Sequence, residues 1–289
     1  MYKILAAFLL IASQCNADCV KCDAKENSAQ SQFIENDHKK NGLKHLRYID
    51  DLFASGSEQF SENQLALIIK DIIARGIHPS KILIVDLREE AHFFANGVPF
   101  TVTDVHENPS EAFLFPNEER IQKGLMAEAE VRLDPRKLDI DHYSNWKKSM
   151  KKHLKPKRAL NKPLMLKKPM IEREVQLCNR YGVQYWRMPL TDHYPPDKAA
   201  IEIFVKMVRD LPKGTWLHIH CRGGEGRTTT FLSILEMLRM PHHSLYDILT
   251  KQHKIGGKDL LQVPEEENRK KAAIDRLDVI RDVYEGFRK

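Results

Sequence analysis

Cys221 and Arg227 stand six positions apart in the stretch His220-Cys221-Arg222-Gly223-Gly224-Glu225-Gly226-Arg227-Thr228, with three glycines between them. The apolar run before it, Thr215 to His220, reads as a buried strand, and Thr229 to Leu238 after it reads as a helix. A strand, a tight glycine loop and a helix N-terminus form a cradle for anions, because loop N–H groups and the helix dipole converge on one point. A cysteine at the floor of such a cradle favours its thiolate, the nucleophilic form. Arg227 offers a planar fork for phosphate oxygens. Gly223, Gly224 and Gly226 admit the close backbone approach that a Cβ would hinder. The Thr228 hydroxyl can donate to the sulfur as it leaves, and His220 is placed to fix the loop by hydrogen bonds. The expected chemistry passes through a cysteinyl phosphate.

An alkoxide leaving group needs a proton as the P–O bond breaks. Asp192 is the candidate acid, since it follows the strand-like Tyr185 to Leu190 and precedes His193-Tyr194-Pro195-Pro196. Asp197 is the alternative acid, and it also suits a helix cap. Arg222, His193, Lys254, Lys258 and Arg88 are candidates for contacts to phosphates other than the one cleaved. Glu225 breaks the pattern, because a carboxylate in the loop repels dianions unless it points outward or pairs with Arg222 or a lysine. No metal and no cofactor are expected, since cradle and guanidinium supply the charge stabilisation.

These groups must be positioned by alternating strands and helices. Leu65, Ile68, Ile69, Ile72 and Ile73 form one apolar stripe after Ser61, closed by Gly76, which predicts a helix. Lys81 to Leu87 reads as a strand, Ala200 to Leu211 as a helix, and Ser244 opens another. A last helix is expected from about Glu265 to Gly286. The pattern predicts an α/β fold, a central sheet flanked by helices, with the site beyond the strand C-terminal ends. Val98 to Val105 alternates like a strand, and Asp134 to Leu154 reads as partly helical.

The sequence resembles the protein-tyrosine-phosphatase superfamily, whose signature is His-Cys-x5-Arg-Ser/Thr, and within it the cysteine phytases, tyrosine-phosphatase-like inositol polyphosphate phosphatases. Four segments carry the narrower resemblance: Ala54-Ser55-Gly56-Ser57-Glu58-Gln59-Phe60-Ser61, Ile84-Val85-Asp86-Leu87-Arg88-Glu89-Glu90, Leu190-Thr191-Asp192-His193, and His220 to Thr230. The resemblance implies a phosphatase domain over 45–289 with a smaller domain, a partial β-barrel, inserted around 98–170. It assigns Asp192 the acid role. It also likens Gln252 in Lys251 to Gly257 to a residue that positions the hydrolytic water, against the plainer reading of a helix end closed by Gly256-Gly257. The implied substrate is a polyanionic small molecule, a myo-inositol phosphate. A phosphotyrosine protein phosphatase, such as an exported effector, shares the same catalytic residues; a silent phospho-binding module would not need Cys221, Arg227 and Asp192 together.

The first 17 residues read as a secretory signal peptide: Lys3, an apolar run from Ile4 to Ala12, and a small residue before Asp18. That run is too short to span a bilayer. A polar leader over 18–44 follows, and a periplasmic or secreted location is expected. Cys19 and Cys22 lack a second ligand pair for zinc and suit a local disulfide in an oxidising compartment. Cys178 is either a disulfide partner of Cys221 or a core residue. The net charge is +6, and from His142 to Ile171 there are ten Lys or Arg residues and no acid. That field attracts polyphosphates, or it is a solvated face; no nucleic-acid recognition motif accompanies it.

Overall fold

In a computed structural model of the 289-residue chain, residues 43–101, 115–127, 130–133 and 164–288 are described. The expected signal peptide, the leader to residue 42, Cys19 and Cys22, the helical reading of 134–154 and the basic run up to residue 163 lie outside them. Among the described residues no helix is long and apolar enough to cross a membrane.

The strands, in chain order, are β1 (Arg47–Ile49), β2 (Ala54–Ser57), β3 (Ile82–Arg88), β4 (His92–Ala95), β5 (Val98–Thr101), β6 (Glu130–Leu133), β7 (Leu164–Lys167), β8 (Ile171–Glu172), β9 (Gln184–Leu190) and β10 (Trp216–His220). The helices are α1 (Glu62–Ala74), α2 (Glu118–Ala127), α3 (Glu174–Arg180), α4 (Lys198–Asp210), α5 (Gly226–Arg239), α6 (Leu245–Lys254) and α7 (Glu267–Gly286). The main sheet runs β1-β2-β10-β3-β9, with only β1 antiparallel to its neighbour.

Side chains alternate across this sheet. Leu83, Val85, Leu217, Ile219 and Cys221 face α4 and α5, where Phe204, Phe231, Leu232 and Leu235 complete one core. Ile82, Ile84 and Trp216 face the other way, onto Leu65, Ile68, Ile69 and Ile72 of α1 and Leu177 and Cys178 of α3. Each of those α1 side chains contributes about 1.5–3 kcal/mol by leaving water. Ser61 starts α1 with a capping box: its hydroxyl accepts from Gln64 N while the Gln64 side chain accepts from Ser61 N. Gly76 ends the segment at φ +84°, where a Cβ would be strained. Parallel strands buried on both faces put the mouth of the site at their C-terminal ends.

Helix α5 is buried along most of its length, from Arg227 to Met237. Its hydroxyls therefore turn to the backbone: Thr230 Oγ1 donates to Gly226 O (2.8 Å) and Ser233 Oγ to Thr229 O (2.9 Å).

A small sheet, β5-β4-β8, stands beside the main one, and β6 pairs with β7. It begins at His92, ahead of the expected boundary near 98. Asn96 (φ +50°) and Gly97 (φ +79°) form the turn of a hairpin joining β4 to β5, so the strand before the turn belongs to the small sheet too. Of the strand expected over Val98 to Val105, Val98–Thr101 is β5 and the rest lies outside the described residues.

Candidate active site

The nucleophile loop is held from below by the end of β2 and the residues that follow it. Gly224 sits at φ +68°, and a Cβ there would lie 2.3 Å from Glu58 N and 2.5 Å from Ser57 C. The loop thus rests directly on the backbone at the end of β2, which only glycine permits. Gln59 N donates to Arg222 O (3.1 Å), and Arg47 reaches Gly224 O (3.2 Å) and Thr229 Oγ1 (3.1 Å) through its two terminal nitrogens. Those contacts explain why the stretch from Ala54 to Ser61 matters to the chemistry. Burial pulls the Arg47 pKa down to about 10, and the charge of Cys221 works against that fall.

Arg227 is 4 % exposed and braced on one edge. Its Nη1 and Nη2 lie 3.1 Å from Glu90 Oε2 and Oε1, a bidentate pair, and Nη1 also donates to Leu190 O (2.8 Å). Nη2 lies 3.1 Å from Asp192 Oδ1. Arg227 Nε and Thr228 Oγ1 are buried with no protein hydrogen-bond partner. Glu90 therefore takes the Nη1–Nη2 edge; on the other edge Nε is open to an anion, with Asp192 beside Nη2. Burial opposes the charge on Arg227, but Glu90, then Cys221 and Asp192, outweigh it and hold the pKa above the ordinary value. Glu90 shifts the opposite way: burial raises it, and Arg227 and Arg88 together bring it well below the usual carboxylate range.

Asp192 and His193 follow β9 on a short loop. His193 N donates to Asp192 Oδ1 (3.0 Å), and the exposed His193 ring lies 3.6 Å from Asp192 Oδ2. The structure thus brings Cys221, Arg227, Thr228 and Asp192 to one place. Asp197 is the N-cap of α4, its carboxylate accepting from Ala200 N (2.7 Å).

His220 points through the opposite face of β10, as alternation requires. Its Nε2 lies 2.7 Å from Glu174 Oε1, and Glu174 Oε2 lies 2.8 Å from His92 Nε2 and accepts from Gln59 Nε2 (2.9 Å). Asp86 Oδ2 in turn lies 3.4 Å from His92 Nε2, 3.2 Å from Arg187 Nε and accepts from Tyr185 OH (2.8 Å). Arg187 reaches Glu118 of α2 (2.7 Å). Asp86, His92 and Glu174 bring ligand atoms within 4.8 Å of one another, as a metal site would. Asp86 is already served by Arg187 and Tyr185, Glu174 by Gln59 and His220, and His92 by Glu174 and the Glu90 carbonyl (3.1 Å), so the group suits a charge-balanced bridge under the cradle rather than an ion. Burial lowers the His220 pKa, but Glu174 more than compensates and raises it; Glu174 is correspondingly held low, against its burial, by His220 and His92. Neighbouring His218, bonded to Ser55 and Ser57, is pushed down to about 3 by burial and then by His220.

The remaining candidates scatter. Arg222 is half-buried and Lys254 and Lys258 are exposed, while the Lys258 backbone N donates to Thr229 Oγ1 (3.0 Å). Glu225 points outward and pairs with His45 Nε2 at 3.3 Å, not with Arg222 or a lysine. Arg88 requires a correction: its side chain is 0 % exposed, turned inward onto Gln59 Oε1 (2.9 Å) and Thr101 Oγ1 (2.5 Å), so it does not stand at the mouth of the site. Gln252 is buried, its amide donating to Glu236 Oε2 (2.9 Å) far down α5 rather than to any cradle group. Glu236 also holds Lys251 (3.0 Å). Cys178 and Cys221 are both free, and they belong to the cores on opposite faces of the sheet. Cys178 is a core residue. Glu90, Arg47, Glu174 and Arg276 escaped the sequence reading. Glu90 carried a signal, since it closes the segment Ile84 to Glu90; the others are joined to the site only by the fold.

The shifts predict how stability depends on pH. Glu90 and Glu174 are depressed below 4.5, so their contribution is present above about pH 4.5 and lost as pH falls through the folded values. His218 stays neutral in the fold down to about 3 against 6.5 unfolded, so stability already declines below pH 6.5. His220 has the opposite sign: its contribution is present below pH 6.5 and lost as pH rises through its raised value. Urea unfolding at pH 7, 5.5 and 4 should show the unfolding free energy falling, more steeply over the last step. Glu90→Gln should lower it at pH 7 by about 3–5 kcal/mol, by leaving Arg227 short of its counter-charge. Equal stability at pH 7 and pH 4 would contradict this assignment of charges.

Comparison with known proteins gives a consistent family. The PTP-like phytase family, described as inositol hexakisphosphate, matches residues 85–239, just over half of the chain. A PTP-like myo-inositol phosphatase from Mitsuokella multacida, solved with myo-inositol-(1,3,4,5)-tetrakisphosphate, is similar at TM-score 0.67 and 26% identity, over 83% of this chain and 38% of that one. A PTP-like phytase from Bdellovibrio bacteriovorus is similar in fold at TM-score 0.59 and 24% identity, over 87% and 86% of the two chains. Effector protein hopD2 of Pseudomonas syringae pv. tomato is 24% identical over 209 residues, 72% of this chain. The chain spans 42% of that effector's length, and so well under half of the effector and of the Mitsuokella chain.

Proposed function

Because the chain belongs to the PTP-like phytase family, we propose that it hydrolyses phosphomonoesters of myo-inositol polyphosphates through a cysteinyl-phosphate intermediate. The observation that carries this reading is the convergence on one cradle of a buried cysteine, a braced guanidinium and a carboxylate 3.1 Å from that guanidinium. Arg47 and Arg227 both lie close enough to Cys221 for its charge to act on them, so two guanidinium groups flank the nucleophile.

In the first step the thiolate attacks phosphorus, the S–P bond forms and the P–O ester bond breaks. The Asp192 carboxyl gives its proton to the departing alkoxide. Loop amides and Arg227 Nε hold the equatorial oxygens where negative charge gathers. In the second step a water attacks phosphorus and passes a proton to the Asp192 carboxylate. The S–P bond breaks, its electrons return to sulfur, and the Thr228 hydroxyl is free to donate to the thiolate. Inorganic phosphate leaves.

Support for a polyphosphate rather than a single phosphate comes from the inositol phosphate held by the Mitsuokella protein; Arg222, His193, Lys254 and Lys258, all at least partly exposed, are the cations that would meet its further phosphates. The likeness to an effector protein favours a second reading, a phosphotyrosine phosphatase. Phosphate release from inositol hexakisphosphate and from a phosphotyrosyl peptide, compared as kcat/KM, separates the two. A clear preference for the inositol phosphate is expected, and faster peptide hydrolysis would overturn it. The proposed location is periplasmic or secreted, resting on the signal-like residues 1–17.

A further inference from the structure

Arg276 lies on α7, more than 50 residues past the nucleophile, yet its guanidinium reaches the acid loop. Nη2 donates to two consecutive backbone carbonyls, His193 O at 3.0 Å and Tyr194 O at 3.3 Å. Nη1 is the atom nearest the place a Cβ on Gly226 would occupy, at 3.4 Å, so the same group lies against the first residue of α5. One guanidinium therefore spans from the start of the nucleophile helix to the loop that carries the acid. His193 stands at φ +64°, a left-handed conformation that costs a non-glycine residue about 1–2 kcal/mol and persists only when its surroundings enforce it. Arg276 grips the carbonyl of that residue and of the next. The Asp192 side chain is held at the other end by Arg227 Nη2, at 3.1 Å.

We propose that Arg276 is a positioning residue that holds the Asp192 loop over the cradle, so that the acid meets the leaving oxygen. This rests on the phosphatase reading above. Arg276 acts through Asp192 and touches no reacting atom. Its nearness to Asp192 and Cys221 is also seen in its own charge balance: burial lowers its pKa while those two groups oppose the fall.

The leaving group provides the test. An inositol phosphate expels an alkoxide and depends strongly on the acid, whereas p-nitrophenyl phosphate expels a stable phenolate and depends on it far less. In the full chain, Arg276→Met should lower kcat for inositol hexakisphosphate about 10²-fold, as expected when a catalytic group is misplaced by about 1 Å. The loss with p-nitrophenyl phosphate should be less than about tenfold. Arg276→Lys, which keeps a donor, should recover part of the first loss. The ratio of the two substrates is measured on one sample, so a partly unfolded variant does not distort it. Equal losses on both substrates would mean a purely structural role and overturn the inference. A raised KM for the inositol phosphate with unchanged kcat would mean that Arg276 binds a neighbouring phosphate, which also overturns it. Wild-type protein inert towards both substrates would instead reject the phosphatase reading itself.

Discussion

Cys221→Ser protein should release phosphate from inositol hexakisphosphate at least about 10⁴-fold more slowly than wild type. A serine hydroxyl does not ionise in this cradle, and the adjacent His220 is not placed to take its proton. The His220 ring points through the far face of β10, to Glu174 at 2.7 Å, while position 221 faces α5. Two guanidinium groups, Arg47 and Arg227, remain in the variant with the anion site intact. Binding should therefore survive the loss of turnover. Isothermal titration with the substrate and a phosphate-release assay on the same preparation check both halves. Retention of more than a hundredth of wild-type turnover would exclude the covalent route.

Arg227→Lys is the second large effect. Lysine keeps the positive charge but offers a single point donor in place of a fork. In the native protein one edge of Arg227 is spent on Glu90, at 3.1 Å to each oxygen, and on the other edge Nε is open to the substrate. An ammonium cannot serve Glu90, Leu190 O and a phosphate oxygen together. Loss of one aimed donor to developing negative charge costs about 10²–10³-fold in kcat, and a fall of about 10³-fold in kcat/KM is expected here. The same change loosens the Asp192 contact at 3.1 Å, so the acid-dependent substrate should suffer more than p-nitrophenyl phosphate. Steady-state kinetics on both esters reads this directly. Activity within tenfold of wild type would mean that the guanidinium geometry is not used.

The parts of this site that are local in the chain could be read from it. The strand, glycine loop and helix around Cys221 are contiguous, and their spacing alone predicts the cradle that β10 and α5 form. The apolar stripe from Leu65 to Ile72 and the caps Ser61, Asp197 and Ser244 give α1, α4 and α6 within a few residues. Groups that meet only through the fold left no such mark. Arg47 and Arg276 approach Cys221 from opposite ends of the sequence, and each looks like an ordinary surface cation on its own segment. The sequence offers Arg88 as a candidate contact to phosphates other than the one cleaved. Arg88 is turned inward because β3 is buried along its whole length and the polar ends of Gln59 and Thr101 accept from its two terminal nitrogens there. The expected boundary near 98 falls between the two strands of a hairpin turned at Asn96-Gly97, so the small sheet begins one strand earlier, at β4.

The order of the main sheet bears on how the protein is made. Strand β10 lies between β2 and β3, pairing Leu217 with Ala54 on one side and with Leu83 on the other. The two flanking strands are synthesised long before the one that separates them, and until it arrives each presents an unsatisfied hydrogen-bonding edge. Such non-local parallel pairing is slow, and exposed strand edges invite other chains to dock. A nascent chain halted before Trp216 should thus be aggregation-prone, and slower synthesis at low temperature should raise the soluble yield.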